Sequence, residues 1–308
     1  MKVHFWCEII MASTLLMYAV LLLSAVCVIS MLYAWRKQPS ISVSISDYVK
    51  LSLTGIISFI ADTLGIGSFA VNIALSKLLG TFSDEELPAV NNGAQVIPGA
   101  IESLFFISSV AVDLTTMLVL ITGACIGGIV GGNIVSRLSK QAIRGALILC
   151  FAVIIIILTG HLIPVGGDLM ALTGMKLFIG FFAMMICGAL TSVGIGLFVL
   201  VQVVLFLLNA SPIIAFPIMM TAGAMQQPLT TLVFLQQGKI PLKKTLILSF
   251  AGCIGVFIGM QVFPYLTTSW LHTLLLGILL YNLLAMSRTF WINHPYSLNK
   301  RAREAVTS

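Results

Sequence analysis

The chain has 308 residues, of which 59% are hydrophobic and only 8% carry a charge, and its mean hydropathy is +1.11. Soluble domains carry about 25% charged residues, because their surfaces must be polar. This composition excludes a soluble enzyme, a disordered protein and a nucleic-acid-binding protein, and a net charge of +6 does not change that. Since a helical span takes about 20 residues, the sequence predicts an all-α polytopic membrane protein.

The first segment, 1–46, is predicted to be a single transmembrane helix followed by a linker. Its apolar run covers 11–34, which is longer than the apolar region of a signal peptide. Arg36 and Lys37 follow the run directly, as at the cytoplasmic end of a span. We therefore expect a permanent N-terminal span with the N-terminus outside.

Eight further apolar runs fall into two sets of four. The runs are 49–79, 87–108, 114–135 and 142–158 in the first set, and 175–208, 212–235, 245–262 and 271–286 in the second. They define a first transport repeat at 47–160, a connecting loop at 161–174, a second repeat at 175–288 and a basic tail at 289–308.

The two sets share features at a nearly constant spacing. The stretch from Asp62 to Gly67 lies 129 residues before that from Thr191 to Gly196. The same order is kept by Gly93-Ala94 with Pro98 and Gly223-Ala224 with Pro228, at a spacing of 130, and by Gly127 and Gly131 with Gly255 and Gly259, at 128. Internal repeats of this size are typical of secondary transporters.

The distribution of Lys and Arg favours a re-entrant hairpin in the first run of each repeat. If these runs cross the membrane, 11 basic residues lie inside and 5 outside; if they turn back, 14 lie inside and 2 outside, in better agreement with the positive-inside rule. The stretch 49–61 is also short, about 20 Å of helix. A re-entrant hairpin enters and leaves on the same side, so each repeat crosses the membrane three times. Because three is odd, the second repeat starts on the opposite side and is predicted to be inverted relative to the first. Seven full spans and a cytoplasmic C-terminus follow.

The glycine-broken hairpin tips are the predicted binding site. Irregular backbone at membrane depth occurs only where it is buried in protein or lines a wet cavity. The second half-helices are predicted to begin at Ser68 and Leu197, and their free N–H groups and helix dipoles attract anions. Glycine lets the backbone approach a ligand closely. We therefore expect a small anion to bind between the two tips.

Asp62 is the most informative single residue, because a carboxylate at mid-membrane indicates function by default. Two roles are equally supported: carrying a coupling proton, or capping the hairpin through hydrogen bonds. Its counterpart in the second repeat is Thr191. Glu102 is expected at the outer rim of the second helix.

Polar side chains beside Pro98 and Pro228 either satisfy backbone freed by the proline or face the cavity, and we favour the cavity. The predicted substrate-binding residues are Asp62, Thr63, Gly65, Gly67, Ser68, Asn91, Asn92, Gln95, Thr191, Ser192, Gly194, Gly196, Thr221, Gln226 and Gln227.

Other chemistry is not indicated. No nucleotide-binding loop, metalloprotease motif or nucleophile elbow is present, so neither an enzyme nor a cofactor is predicted. The six cysteines form no metal-ligand spacing, and no metal site is expected. The Gly-xxx-Gly patterns at Gly127 and Gly255 predict close helix packing.

The glycine-broken first helix, the Gly-Ala pair of the second, the small-residue third and the fourth helix, all occurring twice, resemble the sulfite exporter TauE/SafE family of membrane permeases. The resemblance covers about 47–288. It implies export or uptake of small sulfur-containing anions, such as sulfite or organosulfonates, across the bacterial inner membrane. It maps the substrate path to Gly65, Gly67, Gly194 and Gly196.

The expected partners are a small anionic substrate and the lipid bilayer, with no nucleic acid. Self-association into a homo-oligomer is left open. Two alternatives to the permease are an ion or water channel and a permease for a different small anionic metabolite. A channel needs a continuous polar lining, whereas the polar residues here cluster at the middle of the membrane, which favours a gated site.

Overall fold

A computed structural model describes residues 2–38, 43–109, 112–160, 167–262, 265, 276–288 and 290–291. Eleven helices occur in this part of the chain: α1 (Lys2–Lys37), α2 (Ile45–Thr63), α3 (Ser68–Leu79), α4 (Leu87–Ser109), α5 (Leu114–Val135), α6 (Lys140–Thr159), α7 (Gly174–Val193), α8 (Leu197–Leu207), α9 (Pro212–Gln236), α10 (Leu242–Val262) and α11 (Leu276–Arg288). The first six residues of the predicted connecting loop, the start of the last predicted span and nearly all of the predicted tail lie outside the described residues.

The helices have the length and surface of a multi-pass membrane protein. Within the described ranges, five are long and apolar enough to cross a membrane: most of α1, together with α5, α6, α7 and α10. Helices α4 and α9 have 23 and 25 residues, enough for about 30 Å of hydrocarbon, but buried polar residues lower their hydropathy. Large apolar side chains such as Ile126, Ile254 and Phe257 are exposed, as on a surface that faces lipid.

The two predicted helix breaks are confirmed. Helix α2 ends at Thr63 and α3 begins at Ser68, while α7 ends at Val193 and α8 begins at Leu197. Gly67 in the first break and Gly194 in the second have φ of +96° and +112°. Residues other than glycine rarely adopt such positive φ values. Glycine therefore permits both breaks.

The first half-helix is longer than predicted from its apolar run. Helix α2 has 19 residues, about 28 Å at 1.5 Å per residue, rather than the 13 inferred from hydropathy. The helix extends into polar sequence because the Ser44 hydroxyl accepts a hydrogen bond from the Asp47 N–H at 3.1 Å and so caps it. The expected length of about 20 Å was wrong, so helix length does not favour a hairpin. Support for a hairpin must come from the contacts at the helix ends.

The half-helix before each break packs along a helix of the other set, and glycines make the approach close. Helix α2 runs parallel to α10, where Gly255 faces the Ile56 backbone, and α7 runs parallel to α5, where Gly127 faces the Met185 backbone. A Cβ at either glycine would overlap that backbone. The predicted role of the Gly-xxx-Gly patterns in helix packing is confirmed.

In each broken helix pair, α2–α3 and α7–α8, contacts join the segments farthest from the break. Lys243 at the start of α10 lies 5.9 Å from the ring centre of Tyr48 in the first turn of α2. Its neighbour Lys244 donates to the Thr81 carbonyl, just after α3, at 3.1 Å. The second pair has an equivalent junction, since Leu169 before α7 forms a β-bridge with Ala210 after α8. The first pair thus starts and ends beside α10, and the segments that flank the second pair contact each other.

An ionic cluster fixes the turn after α3 to the start of α6. Asp84 is buried and is bound by both Lys77 and Arg144, with the Arg144 Nε donating to the Asp84 Oδ2 at 2.8 Å. Lys140 pairs with Glu85 at 2.7 Å nearby. The C-terminal end of α3 and the start of α6 therefore lie at the same end of the bundle.

Candidate functional site

Both helix breaks border one small cavity inside the helix bundle. Ser68 and Phe69 line it from the start of α3, and Gly196 and Leu197 line it from the start of α8, while α4 and α9 complete the wall. Its volume is about 30 Å³, and a cavity needs at least about 10–15 Å³ on the same measure to hold one water molecule. The cavity therefore has room for about two molecules of that size.

Asp62 caps the helix that begins across the first break. Its Oδ1 accepts a hydrogen bond from the Ser68 N–H at 2.6 Å, and its Oδ2 accepts one from the Gln95 amide. The side chain of Gln95 also accepts from the Ser68 hydroxyl at 2.7 Å. The first N–H of α3, which the sequence predicted to be free for an anion, is bonded to the protein's own carboxylate. The capping role left open for Asp62 is thus present.

Glu102 lies in the same cavity, and its predicted place at the rim was wrong. It is 0% exposed, its Oε1 accepts from the Thr63 hydroxyl at 2.6 Å, and its Oε2 lies 3.3 Å from the Gln95 amide nitrogen. Gln95 and Glu102 are seven residues apart, which puts both on one face of α4. That face turns inward, and the Gln95 amide bridges the carboxyl groups of Asp62 and Glu102.

The carboxyl pair has no basic neighbour in the cavity wall: no Lys, Arg or His is among the described residues that line it. Asp62 is 8% exposed, so both acidic groups are removed from water. Two uncompensated charges at membrane depth are costly. The arrangement therefore requires a proton or another cation to neutralise it.

The second break lacks this cap. Thr191, the counterpart of Asp62, donates its hydroxyl to the Cys187 carbonyl within its own helix at 2.9 Å. The N-cap residue of α8 is Gly196, which has no side chain to cap the helix, and Gly196 and Leu197 border the cavity. The two breaks are therefore chemically different: a carboxylate bonds the helix end at the first, whereas the threonine in the matching place at the second bonds its own helix.

Five of the predicted site residues line the cavity: Asp62, Ser68, Gln95, Gly196 and Gln227. The others are not among its lining residues: Thr63, Gly65, Gly67, Asn91, Asn92, Thr191, Ser192, Gly194, Thr221 and Gln226.

Several of these other residues support the backbone around the cavity. Asn92 donates to the Pro88 carbonyl at 2.8 Å and lies 3.3 Å from the Thr191 carbonyl, which joins α4 to the second break. Ser192 donates to the Gly128 carbonyl at 3.0 Å. Asn92 and Ser192 thus bond backbone carbonyls, although neither bonds the Ala94 carbonyl that Pro98 leaves without its helical N–H partner.

Lining residues that the sequence analysis did not select are Phe69, Gly99, Glu102, Leu197, Met219, Met220, Gly223 and Ala224. The inward face of α4 has a sequence signal, because Gln95, Gly99 and Glu102 follow helical spacing. Met219 and Met220 have none, since they resemble ordinary apolar core residues.

A larger cavity of about 450 Å³ opens at one end of the bundle, where Glu85, Ser136, Lys239 and Pro88 contribute to its wall. The Pro88 Cα also lies 3.8 Å from the position that a Cβ on Gly194 would occupy. This cavity therefore reaches the vicinity of the second break.

The fold and composition together define a helical multi-pass membrane protein. No family model, curated protein or solved structure matches the chain. Across the ranges that the structure describes, no group of three or more His, Cys, Asp or Glu residues is arranged to hold a metal ion.

Proposed function

We propose that the protein is a secondary transporter, a permease that moves a small sulfur-containing anion such as sulfite or an organosulfonate across the cell inner membrane. The observation that carries this proposal is the cavity that both helix breaks and two buried carboxyl groups border. Transporters commonly bind substrate and coupling ions at such interrupted helices near the bilayer midplane. The sulfur-containing substrate class comes from the resemblance to the TauE/SafE permeases.

The proposed topology has two re-entrant hairpins, α2–α3 and α7–α8, in two inverted repeats, with the N-terminus outside and the C-terminus in the cytoplasm. It is supported by the end contacts, because Tyr48 before the first break and Thr81 after it both meet the start of α10. Around the second break, Leu169 before α7 and Ala210 after α8 pair directly with each other. The reciprocal packing of α2 on α10 and α7 on α5 also fits a twofold relation between repeats.

The anion is proposed to bind at the N-terminus of α8, where Thr191 stands in place of the capping Asp62. Helix N-termini attract anions through their unbonded N–H groups and the helix dipole, and Gly196 exposes backbone there. The central cavity of about 30 Å³ is too small for an organosulfonate, so binding one requires the helices around the second break to move apart. The larger cavity beside Pro88 is the proposed entrance from one side.

Transport is proposed to be coupled to the movement of a cation. The coupling cation that the sequence indicated is a proton carried by Asp62. An anion cannot approach two ionised carboxylates within a low-dielectric cavity without strong repulsion. A cation must therefore neutralise Asp62 and Glu102 before the anion binds. Coupled movement of cation and anion follows from this order.

Flux measurements in proteoliposomes test the proposed function. We expect saturable uptake of sulfite, thiosulfate or a taurine-like sulfonate, with sulfate as a further candidate, and competition among the anions that are transported. Stimulation by an inward proton or sodium gradient supports coupling. Uptake that never saturates supports the ion or water channel, and absence of flux for every small anion contradicts the permease.

The topology is tested by labelling single cysteines with an impermeant maleimide in a cysteine-free background. Ser46 in the first turn of α2, Glu85 after α3 and Met170 before α7 are all exposed and serve as positions for Cys. With hairpins, Ser46→Cys and Glu85→Cys are labelled from one side and Met170→Cys from the other. If α2–α3 crosses the membrane, Ser46→Cys and Glu85→Cys are labelled from opposite sides, which contradicts the proposal whatever the absolute orientation.

A further inference from the structure

We propose that the central cavity is a sodium site, formed by the carboxyl groups of Asp62 and Glu102 and the amide oxygen of Gln227. The three groups come from different elements, the end of α2, the middle of α4 and α9, and all three border the same cavity. Each is at least nine-tenths buried, with exposures of 8%, 0% and 5%.

The Gln227 amide oxygen is the observation that points to a ligand beyond the acidic pair. Its Oε1 is buried and has no hydrogen-bond partner. The Gln227 Oε1 lies close to two glycines, at 3.4 Å from the position that a Cβ on Gly223 would occupy and at 3.6 Å from the corresponding position on Gly99. Both glycines border the cavity. A buried acceptor without a partner is unfavourable. A cation in the cavity would provide its partner.

The ligand set and the space favour sodium. Carboxylate and amide oxygens suit hard cations, and the cavity of about 30 Å³ accommodates one such ion with a water molecule. Magnesium retains several waters, which is more than the cavity holds. Calcium takes 6–8 oxygen ligands, a number reached here only if both carboxylates bind through both oxygens, and those oxygens already accept hydrogen bonds from Ser68, Gln95 and Thr63. Sodium together with one proton on the pair leaves the cavity neutral.

Hydrogen bonds hold the two carboxyl groups in place at the cavity wall. Gln95 donates to both, Ser68 donates its N–H to Asp62, and Thr63 donates its hydroxyl to Glu102. These outer contacts are the kind that hold metal ligands in position. In its coupling role the inference rests on the proposed function, since sodium would be the cation that enters with the anion; sodium binding itself does not depend on anion transport.

Equilibrium binding of ²²Na⁺ to the purified full chain in detergent tests the site, with choline chloride used to keep ionic strength constant. We expect saturable binding of one ion per chain and a higher thermal midpoint in sodium than in choline. Gln227→Met should weaken sodium binding by about tenfold or more, the scale on which lost supporting contacts reduce metal affinity. Gln226→Met is the matched control: its amide oxygen is likewise buried and without a partner, but the residue does not line the cavity, and sodium affinity should not change.

Asp62→Asn and Glu102→Gln give the same test with nearly isosteric changes, in case Gln227→Met does not fold. Loss of binding in either variant supports the site. The proposal is overturned if the folded wild-type protein binds no sodium saturably, if the three variants bind it like wild type, or if acid alone reproduces the stabilisation and sodium adds none, which assigns the site to protons. Anion flux without sodium binding rejects this inference and leaves the permease standing, whereas sodium binding without anion flux does the reverse.

Discussion

Replacement of Asp62 by asparagine is expected to abolish cation-driven accumulation of the transported anion. Asparagine can still accept the Ser68 N–H bond that caps α3, but it has no charge for a cation to neutralise. The dependence of uptake on the cation gradient should fall by about tenfold or more, within the usual range of coupling between two bound ligands. Downhill exchange should fall by less than accumulation. Both are measured in proteoliposomes with and without imposed gradients.

Asp113→Asn is the matched control, because Asp113 also caps a helix with its carboxylate. The Asp113 Oδ2 accepts the Thr116 N–H at the start of α5 at 2.8 Å, outside the cavity. Its replacement should leave the gradient dependence unchanged. Retention of full coupling in Asp62→Asn, with the protein folded and active, would leave Asp62 with the capping role alone.

Replacement of Gly127 by alanine is expected to destabilise the protein strongly through a single added methyl group. The new Cβ would overlap the Met185 backbone, with the Met185 Cα only 2.9 Å away. Backbone cannot rotate aside as a side chain can, so α5 and α7 must separate. Overpacking of this kind costs about 1–3 kcal/mol, and the thermal midpoint in detergent should fall by several degrees. Gly255→Ala, which meets Ile56 in the other set, should behave alike.

Gly145→Ala in α6 is expected not to destabilise the protein, in contrast to Gly127→Ala. The nearest atom to its added Cβ is a Phe290 ring carbon at 4.0 Å, so there is no overlap. Alanine is favoured over glycine in a helix interior by about 0.5–1 kcal/mol, and the thermal midpoint should stay the same or rise. Equal losses in Gly127→Ala and Gly145→Ala would contradict close packing of α5 against α7.

The main features of the chain could be read from its sequence because they depend on local chemistry. Composition alone requires a lipid-embedded helical protein, since so few charged residues cannot provide a soluble surface. The start points of α3 and α8 at Ser68 and Leu197 were predicted correctly, because glycines with positive φ interrupt helices wherever they occur. The packing role of Gly127 followed from small-residue spacing in the same way.

The arrangement of polar groups was decided only by tertiary structure. From the sequence, Glu102 was expected at the rim and Asp62 had two possible roles, because position along a helix does not reveal which residues lie opposite on other helices. The fold brings α4 against the first break, so that Gln95 bridges both carboxyl groups. It also separates the two breaks chemically, since Asp62 reaches the N-terminus of α3 whereas Thr191 bonds its own helix. The low charge of the sequence determined the membrane class, and packing determined where two of its few carboxyl groups meet.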